Sequence, residues 1–148
     1  MHRLSGEDAG FLSMEQPEQA MNTIAVGTLH APDGAAGVTI EDVRNHVAAR
    51  LDQLPSFRWR IVPVPFGLHN PMAVRDPDFE LDYHLREATL QDGQSLDDLF
   101  AHLAEQHLDR RHPLWQLTLV HGLPGGDQAL ILKYHHCLAD GVAAFTTF

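Results

Sequence analysis

The sequence predicts a mixed α/β layered domain, and three features carry that expectation. Two segments repeat apolar residues every three or four positions behind a capping pair. A proline-rich run of short strand-forming pieces lies between them. The stretch near the end, "LWQLTLVH", "GLPGGD" and "QALILKYHH", reads as strand, turn and strand. With 148 residues and 44% apolar content, the chain matches one globular domain able to bury roughly 70% of its unfolded surface.

Ser5 with Asp8 three residues later forms an N-cap pair opening a short helical turn that carries Phe11 and Leu12. "TIAVGTL", Thr23 to Leu29, is rich in strand formers, and the turn-rich "HAPDGAAG" follows it. Thr39 and Asp42 cap the next segment. There Ile40, Val43, Val47, Leu51 and Leu54 form one apolar stripe, predicting a helix of about three to four turns that Pro55 stops. Prolines 63, 65, 71 and 77 suit edge strands and irregular connections, so short strands are expected near 58–64, 72–75 and 81–86. Ser95 and Asp98 cap a second amphipathic helix with Leu96, Leu99, Phe100, Leu103 and Leu108 inward. "RRHP" ends it, placing cations near its negative C-terminal end. After Gly141, "VAAFTTF" reads as a helix beginning.

Twenty acidic against ten basic residues give a formal charge of −10, which argues against nonspecific nucleic-acid binding and against polybasic attraction to anionic lipid. No apolar run approaches the ~18 residues of a membrane span, so any membrane contact is expected to be peripheral. The opening "MHRLSGEDAG" has no charged leader followed by an apolar stretch, and no signal peptide is expected. The single cysteine, Cys137, excludes an internal disulfide and fits a reducing, cytoplasmic setting.

The chemistry concentrates in "YHHCLADG", residues 134–141. If 129–136 is extended, Leu130, Leu132, Tyr134 and His136 share one face, and Ala129, Ile131, Lys133 and His135 the other. Neighbouring histidines on a strand look in opposite directions and cannot chelate one metal together. His136, on the face without the lysine, is expected to be buried and neutral, with the lone pair a general base needs. His135 reads as a structural or orienting residue. Asp140 can orient an imidazole or pair with an arginine (Arg58, Arg60 or Arg75), and spacing does not choose between these. Gly141 permits a sharp turn. The pair thus stands at a strand-to-loop-to-helix junction, where a rigid strand aims a side chain into a cleft. Spacing alone also allows a pair that merely packs. Zinc lacks a third ligand at metal spacing. Cys137 reads as a small buried filler, and His102 and His107, five apart, read as solvated.

"HHCLADG" matches the HHxxxDG motif of the coenzyme A-dependent acyltransferase superfamily, which condensation domains of nonribosomal peptide synthetases share. The flanks add detail. "LSGEDAGFLSMEQPEQAMN" resembles the LSxxDxxFL opening of the bacterial wax ester synthase/diacylglycerol acyltransferase family. "FRWRIVPVPFGLHNPMAVRDPDFELDYHLR" is similar to that family's next block, and "HLDRRHPLWQLTLVHGL" to its PLW-containing strand. Gly6 and Glu7 depart from it, standing where proline and an apolar residue are frequent. The resemblance runs in order across nearly the whole chain.

It implies an α+β two-layer sandwich, with residues 1–148 as the N-terminal half-domain of a chloramphenicol acetyltransferase-like acyltransferase fold whose C-terminal half lies outside this sequence. It implies transfer of a fatty acyl group from acyl-CoA to diacylglycerol or a long-chain alcohol. His136 would be the general base, His135 and Asp140 would shape the site, and Gly141 would make the turn. Acyl-CoA is then a substrate, and neither metal nor cofactor is implied. The partners implied are the acceptor and the C-terminal half, with peripheral contact to a membrane or lipid bodies compatible. Two alternatives stand beside this reading. One is a condensation-type amide-forming domain, against which the "LSGEDAGFL" opening argues. The other is a non-catalytic half-domain that only binds a partner. Because the implied tunnel lies between two halves, an uncovered apolar wall is expected on this one, built from the 129–136 strand face and the segment after Gly141.

Overall fold

The computed structural model describes residues 1–30 and 36–141, with side chains described through Leu138. A two-residue strand β1 (His2–Arg3) precedes helix α1 (Gly6–Met14). The Ser5 cap forms as the sequence indicates: its hydroxyl accepts the Asp8 N–H at 3.0 Å. Strand β2 (Asn22–Leu29) follows, then helix α2 (Ile40–Ala48). At α2 the reciprocal capping box is complete, with Thr39 N–H donating to Asp42 Oδ2 at 2.9 Å and Asp42 N–H donating to Thr39 Oγ1 at 3.2 Å.

Helix α2 is shorter than its apolar stripe. It stops at Ala48, and Leu51–Gln53 and Pro55–Arg58 continue as two 3₁₀ turns. Leu54, at φ −122° and ψ 62°, cannot stay helical ahead of Pro55. The stripe still reports burial correctly, because Leu51 and Leu54 both reach the core from the turns.

Strands β3 (Trp59–Val62) and β4 (Met72–Arg75) form where short strands were expected and, with β1, make a small antiparallel sheet ordered β1-β4-β3. In the β3–β4 loop Phe66 adopts φ 60°, the left-handed region, and Phe66 and Leu68 stand exposed. The strand expected at 81–86 is displaced. Leu81–His84 is one helical turn, α3, and strand β5 runs Leu85–Thr89. Burial of the His84 ring in an aromatic stack accompanies that turn.

Helix α4 (Leu96–Glu105) begins at a second capping box, Ser95 with Asp98, and ends before Leu108. Strands β6 (Trp115–His121) and β7 (Gln128–His135) complete the main sheet, ordered β2-β7-β6-β5, in which only β5 and β6 run parallel. Register sets its two faces: Trp115 lies opposite Tyr134, Leu117 opposite Leu132 and Leu119 opposite Leu130. That face joins Val43 and Val47 of α2 in the larger core. Val120, Ala129 and Ile131 on the other face join Leu103, with Leu99 and Phe100 of α4 packed against them. The main sheet therefore carries a helix on each face.

An aromatic column binds the small elements to this sheet. Phe57 stacks on Trp115 at 4.7 Å, Trp115 on His84 at 4.4 Å, and His84 on Phe79 at 5.2 Å, all with rings near parallel. Polar atoms at the edge of the column are satisfied too. Trp115 Nε1–H donates to the Phe57 carbonyl at 2.8 Å, and His84 Nδ1–H donates to the Trp115 carbonyl at 2.9 Å.

On the opposite face Lys133 is buried. Its Nζ donates to the carbonyls of Leu103 at 3.0 Å and Gln106 at 3.1 Å, at the C-terminal end of α4. The cation at that helix end thus comes from β7 and not from "RRHP". Arg110 reaches Glu15 instead, and Arg111 pairs with Asp109. Burial lowers the Lys133 ammonium to about 8, leaving it protonated near neutrality and suited to the negative helix terminus. Lys133→Met keeps the apolar stem but strands two carbonyls. It should lower the unfolding free energy by about 1–3 kcal/mol in urea titrations.

Candidate functional site

Strand β7 ends at His135, and a 3₁₀ turn spans His136–Gly141. The expectation that His136 continues the strand on the Leu130–Leu132–Tyr134 face is therefore corrected: the chain leaves extended geometry between the two histidines. Burial is reversed as well. His135 is 1% exposed, whereas His136 is only half-buried.

His135 is held on both sides. Its N–H donates to the Leu114 carbonyl at 2.9 Å, and its Nδ1 accepts the Cys137 N–H at 3.0 Å. An Nδ1 that accepts carries no proton, so the neutral ring holds its proton on Nε2. That nitrogen faces Glu15 Oε1 at 3.5 Å. Burial, partly opposed by the Glu15 charge, lowers the imidazole to about 4, so it is neutral at physiological pH. His135 thus lies buried between the end of β7 and the Cys137 amide.

The His136 ring stacks on Phe11 of α1 at 4.6 Å between centroids, and its N–H donates to the Met21 carbonyl at 2.9 Å. Among the described residues, neither ring nitrogen of His136 has a hydrogen-bond partner. One face of the imidazole is thus fixed by an aromatic wall. Cys137 is buried, and burial raises its thiol to about 12, which suits a filler and not a nucleophile.

The side chains of Asp140 and Gly141 lie outside the described residues, as does the helix expected after them. Of the three arginines considered for Asp140, Arg58 lies 3.2 Å from Asp52, and Arg60 lies 4.0 Å from the buried Asp76. No group of three His, Cys, Asp or Glu side chains that could hold a metal ion occurs among the described residues.

Glu15 is the residue that sequence reasoning passed over. Its side chain is 7% exposed, and its Oε2 receives Arg110 Nη2 at 2.7 Å and Nε at 3.2 Å. Its Oε1 lies 3.4 Å from the Met21 N–H, 3.3 Å from His107 Nδ1 and 3.5 Å from His135 Nε2. Burial pushes this carboxyl up, but the Arg110 guanidinium and the Met21 amide outweigh burial and hold it below the ordinary range. His107 is exposed, as expected, and also stands against Glu15, while exposed His102 meets Gln106. Nothing in "LSMEQPEQ" marks Glu15, because its partners are 92 to 120 positions away along the chain apart from Met21.

Leu132 and Tyr134, on the strand face expected to form an uncovered apolar wall, are buried in the larger core, and the segment after Gly141 expected to complete that wall lies outside the described residues. A cavity of about 580 Å³ remains between β2, β6, β7 and α2. Val26, Gly27, Val47, Leu117, Leu130 and Leu132 are among the residues that line it.

A mixed sheet with a helix on each face, and a turn carrying His136 at the end of its strand β7, have counterparts among solved structures. The starter condensation domain of rhizomide synthetase superposes over 98% of this chain and 34% of its own, with a TM-score of 0.68; at 14% identity the likeness concerns the fold alone. The wax ester synthase/diacylglycerol acyltransferase of Marinobacter aquaeolei VT8 superposes over 99% of this chain and 36% of its own, with a TM-score of 0.77 and 26% identity. A sequence profile of the wax ester synthase/diacylglycerol acyltransferase catalytic domain matches residues 4–148, and the chain belongs to that family. Two Mycobacterium tuberculosis relatives are named probable diacylglycerol O-acyltransferase: tgs3, 36% identical over 145 residues, and tgs1, 37% identical over 147 residues. The matched stretch is 96% of this chain and 53% of tgs3, and 97% of this chain and 31% of tgs1. The chain thus spans about a third to a half of the curated relatives it matches.

Two buried neutral histidines, His84 and His135, fix a pH dependence. Burial lowers His84 to about 4, as it does His135. The unfolded chain takes up protons below about pH 6.5, which the folded chain resists until about 4, so stability falls as pH drops through that window. Unfolding free energies at pH 7 and 5.5 should differ by up to about 1.4 kcal/mol per pH unit for each histidine. His84→Phe, which keeps the ring stack, should remove about half of that slope.

Proposed function

We propose that this stretch supplies the general base of an O-acyltransferase that moves a fatty acyl group from acyl-CoA to the hydroxyl of diacylglycerol or a long-chain alcohol. The observation that carries the reading is the His136 imidazole, walled by Phe11, anchored through its own amide, and free at both nitrogens among the described residues. Family membership supports the reaction class.

The His136 ring accepts the acceptor's hydroxyl proton as the oxygen attacks the thioester carbonyl. A tetrahedral intermediate forms, with negative charge on the former carbonyl oxygen. Its collapse breaks the carbon–sulfur bond, and the proton held on His136 passes to the departing CoA thiolate. General-base assistance of this kind is worth ~10²–10⁴ in rate. The remainder comes from positioning and oxyanion stabilisation. Acyl-CoA is a substrate here, and this chemistry calls for no cofactor.

Catalysis on this reading occurs in a two-lobed protein in which the present stretch is the histidine-bearing first lobe, with Asp140 and Gly141 shaping the turn. No described helix is long and apolar enough to cross a membrane, and the reading includes peripheral contact with a membrane or lipid body to collect the acceptor.

In the two-lobed protein, His136→Ala should lower kcat with acyl-CoA and diacylglycerol by ~10²–10⁴. His135→Ala should lose stability and retain more activity per folded molecule. A larger kinetic loss in His135→Ala would overturn the assignment of proton transfer to His136.

The apolar cavity under α2 suits a hydrocarbon chain, and its volume falls within the range of small-molecule pockets, roughly 300–1,000 Å³. A Cβ added at Gly27 meets nothing within 4 Å, so Gly27→Leu fills this space without backbone strain. It should shift acyl-CoA preference toward shorter chains, measured as the kcat/KM ratio of a long to a short donor. An unchanged ratio would show that the chain binds elsewhere.

A further inference from the structure

We infer that Glu15 is a positioning residue for the His136 turn. This rests on the acyl-transfer reading of His136 and extends it to a carboxylate that does not touch the reacting atoms.

The turn is fixed by its backbone amides, and two of them lead back to one oxygen. The His136 N–H donates to the carbonyl of Met21, whose own N–H lies 3.4 Å from Glu15 Oε1. The Cys137 N–H donates to His135 Nδ1, and the other nitrogen of that ring lies 3.5 Å from the same Oε1. His135 Nε2 is buried without a hydrogen-bond partner among the described residues, and Glu15 Oε1 is a carboxylate oxygen 3.5 Å from it. Glu15 therefore faces the group that holds residue 136 and the group that holds residue 137.

The carboxylate is itself immobilised. It ends α1, with its N–H donating to the Phe11 carbonyl at 3.2 Å, and α1 also carries the Phe11 ring that stacks on His136. Arg110 grips its Oε2 and donates from Nη2 to the Leu12 carbonyl at 2.8 Å. His107, whose Nε2 donates to the Pro17 carbonyl at 3.1 Å, closes the remaining side. One side chain thus ties the aromatic wall behind the base to the backbone turn that presents it.

The test compares Glu15→Ala, Glu15→Gln and Glu15→Asp in the two-lobed protein, with His136→Ala alongside. Glutamine keeps an oxygen for the Met21 amide and His135 Nε2 but gives up the charge that Arg110 holds. Alanine removes both. Misplacing a catalytic group by about 1 Å can cost ~10²-fold, so Glu15→Ala should lose about that factor in kcat with KM for acyl-CoA within roughly twofold. Glu15→Gln should stay within roughly threefold of wild type in kcat even though its melting temperature falls as in Glu15→Ala. Backbone amide exchange at residues 136 and 137 should remain slow in Glu15→Gln and accelerate in Glu15→Ala. If Glu15→Ala does not fold, Glu15→Asp, which withdraws the oxygen by one methylene, should fold and show the same kinetic loss.

Three results would overturn the inference: equal kcat losses in Glu15→Gln and Glu15→Ala that track stability, wild-type kcat in Glu15→Ala, or unchanged amide exchange there. A His136→Ala enzyme with wild-type kcat would instead remove the acyl-transfer reading, and the exchange measurement would still decide what Glu15 holds.

Discussion

Three consecutive amides, those of His135, His136 and Cys137, each donate to one fixed acceptor: the Leu114 carbonyl, the Met21 carbonyl and the His135 ring. A buried amide left unpaired costs about 1–3 kcal/mol. The turn therefore cannot shift without losing at least one of these bonds, and its acceptors inherit the same constraint. Leu114 is held by the strand that carries Trp115, and Trp115 by the column of Phe57, His84 and Phe79. Met21 precedes β2, which pairs with β7 over its whole length. The placement of one imidazole thus draws on the proline-rich middle of the chain, the edge strand and the first helix together.

The two faces of the main sheet divide the work. The Leu117–Leu132–Tyr134 face is apolar and buries against α2, leaving the cavity beneath that helix. The other face carries Lys133 and His135, which burial would ordinarily exclude. Each is reconciled differently. Lys133 keeps its charge and spends it on the carbonyls closing α4, whereas His135 gives up its charge and uses its ring as a spacer between Glu15 and the Cys137 amide. The Glu15 carboxylate stays ionised in a buried place because Arg110 and the Met21 amide meet it there.

Local signals survived folding where the interaction was itself local. The capping pairs at Ser5, Thr39 and Ser95 formed because donor and acceptor lie three residues apart. The strand–turn–strand of β6 and β7 followed from alternation and a glycine-rich turn. Apolar stripes reported burial better than continuity: Leu51, Leu54 and Leu108 pack inward although their helices stop earlier. The displaced strand at 85–89 goes with a nonlocal contact, the burial of His84 against Trp115, 31 positions away.

The sequence by itself determined the family, most of the order of elements, and the adjacent histidines of the motif, because these depend on composition, period and motif spacing. Tertiary structure decided the rest. Alternation predicts a face only while the chain stays extended, and β7 ends between the two histidines, so the buried ring is His135 and the presented one is His136. Glu15 and His107 acquire meaning only when α1 and the segment before β6 are brought against the end of β7. A carboxylate's role depends on what stands within about 3 Å of its oxygens, and chain separation carries no record of that distance.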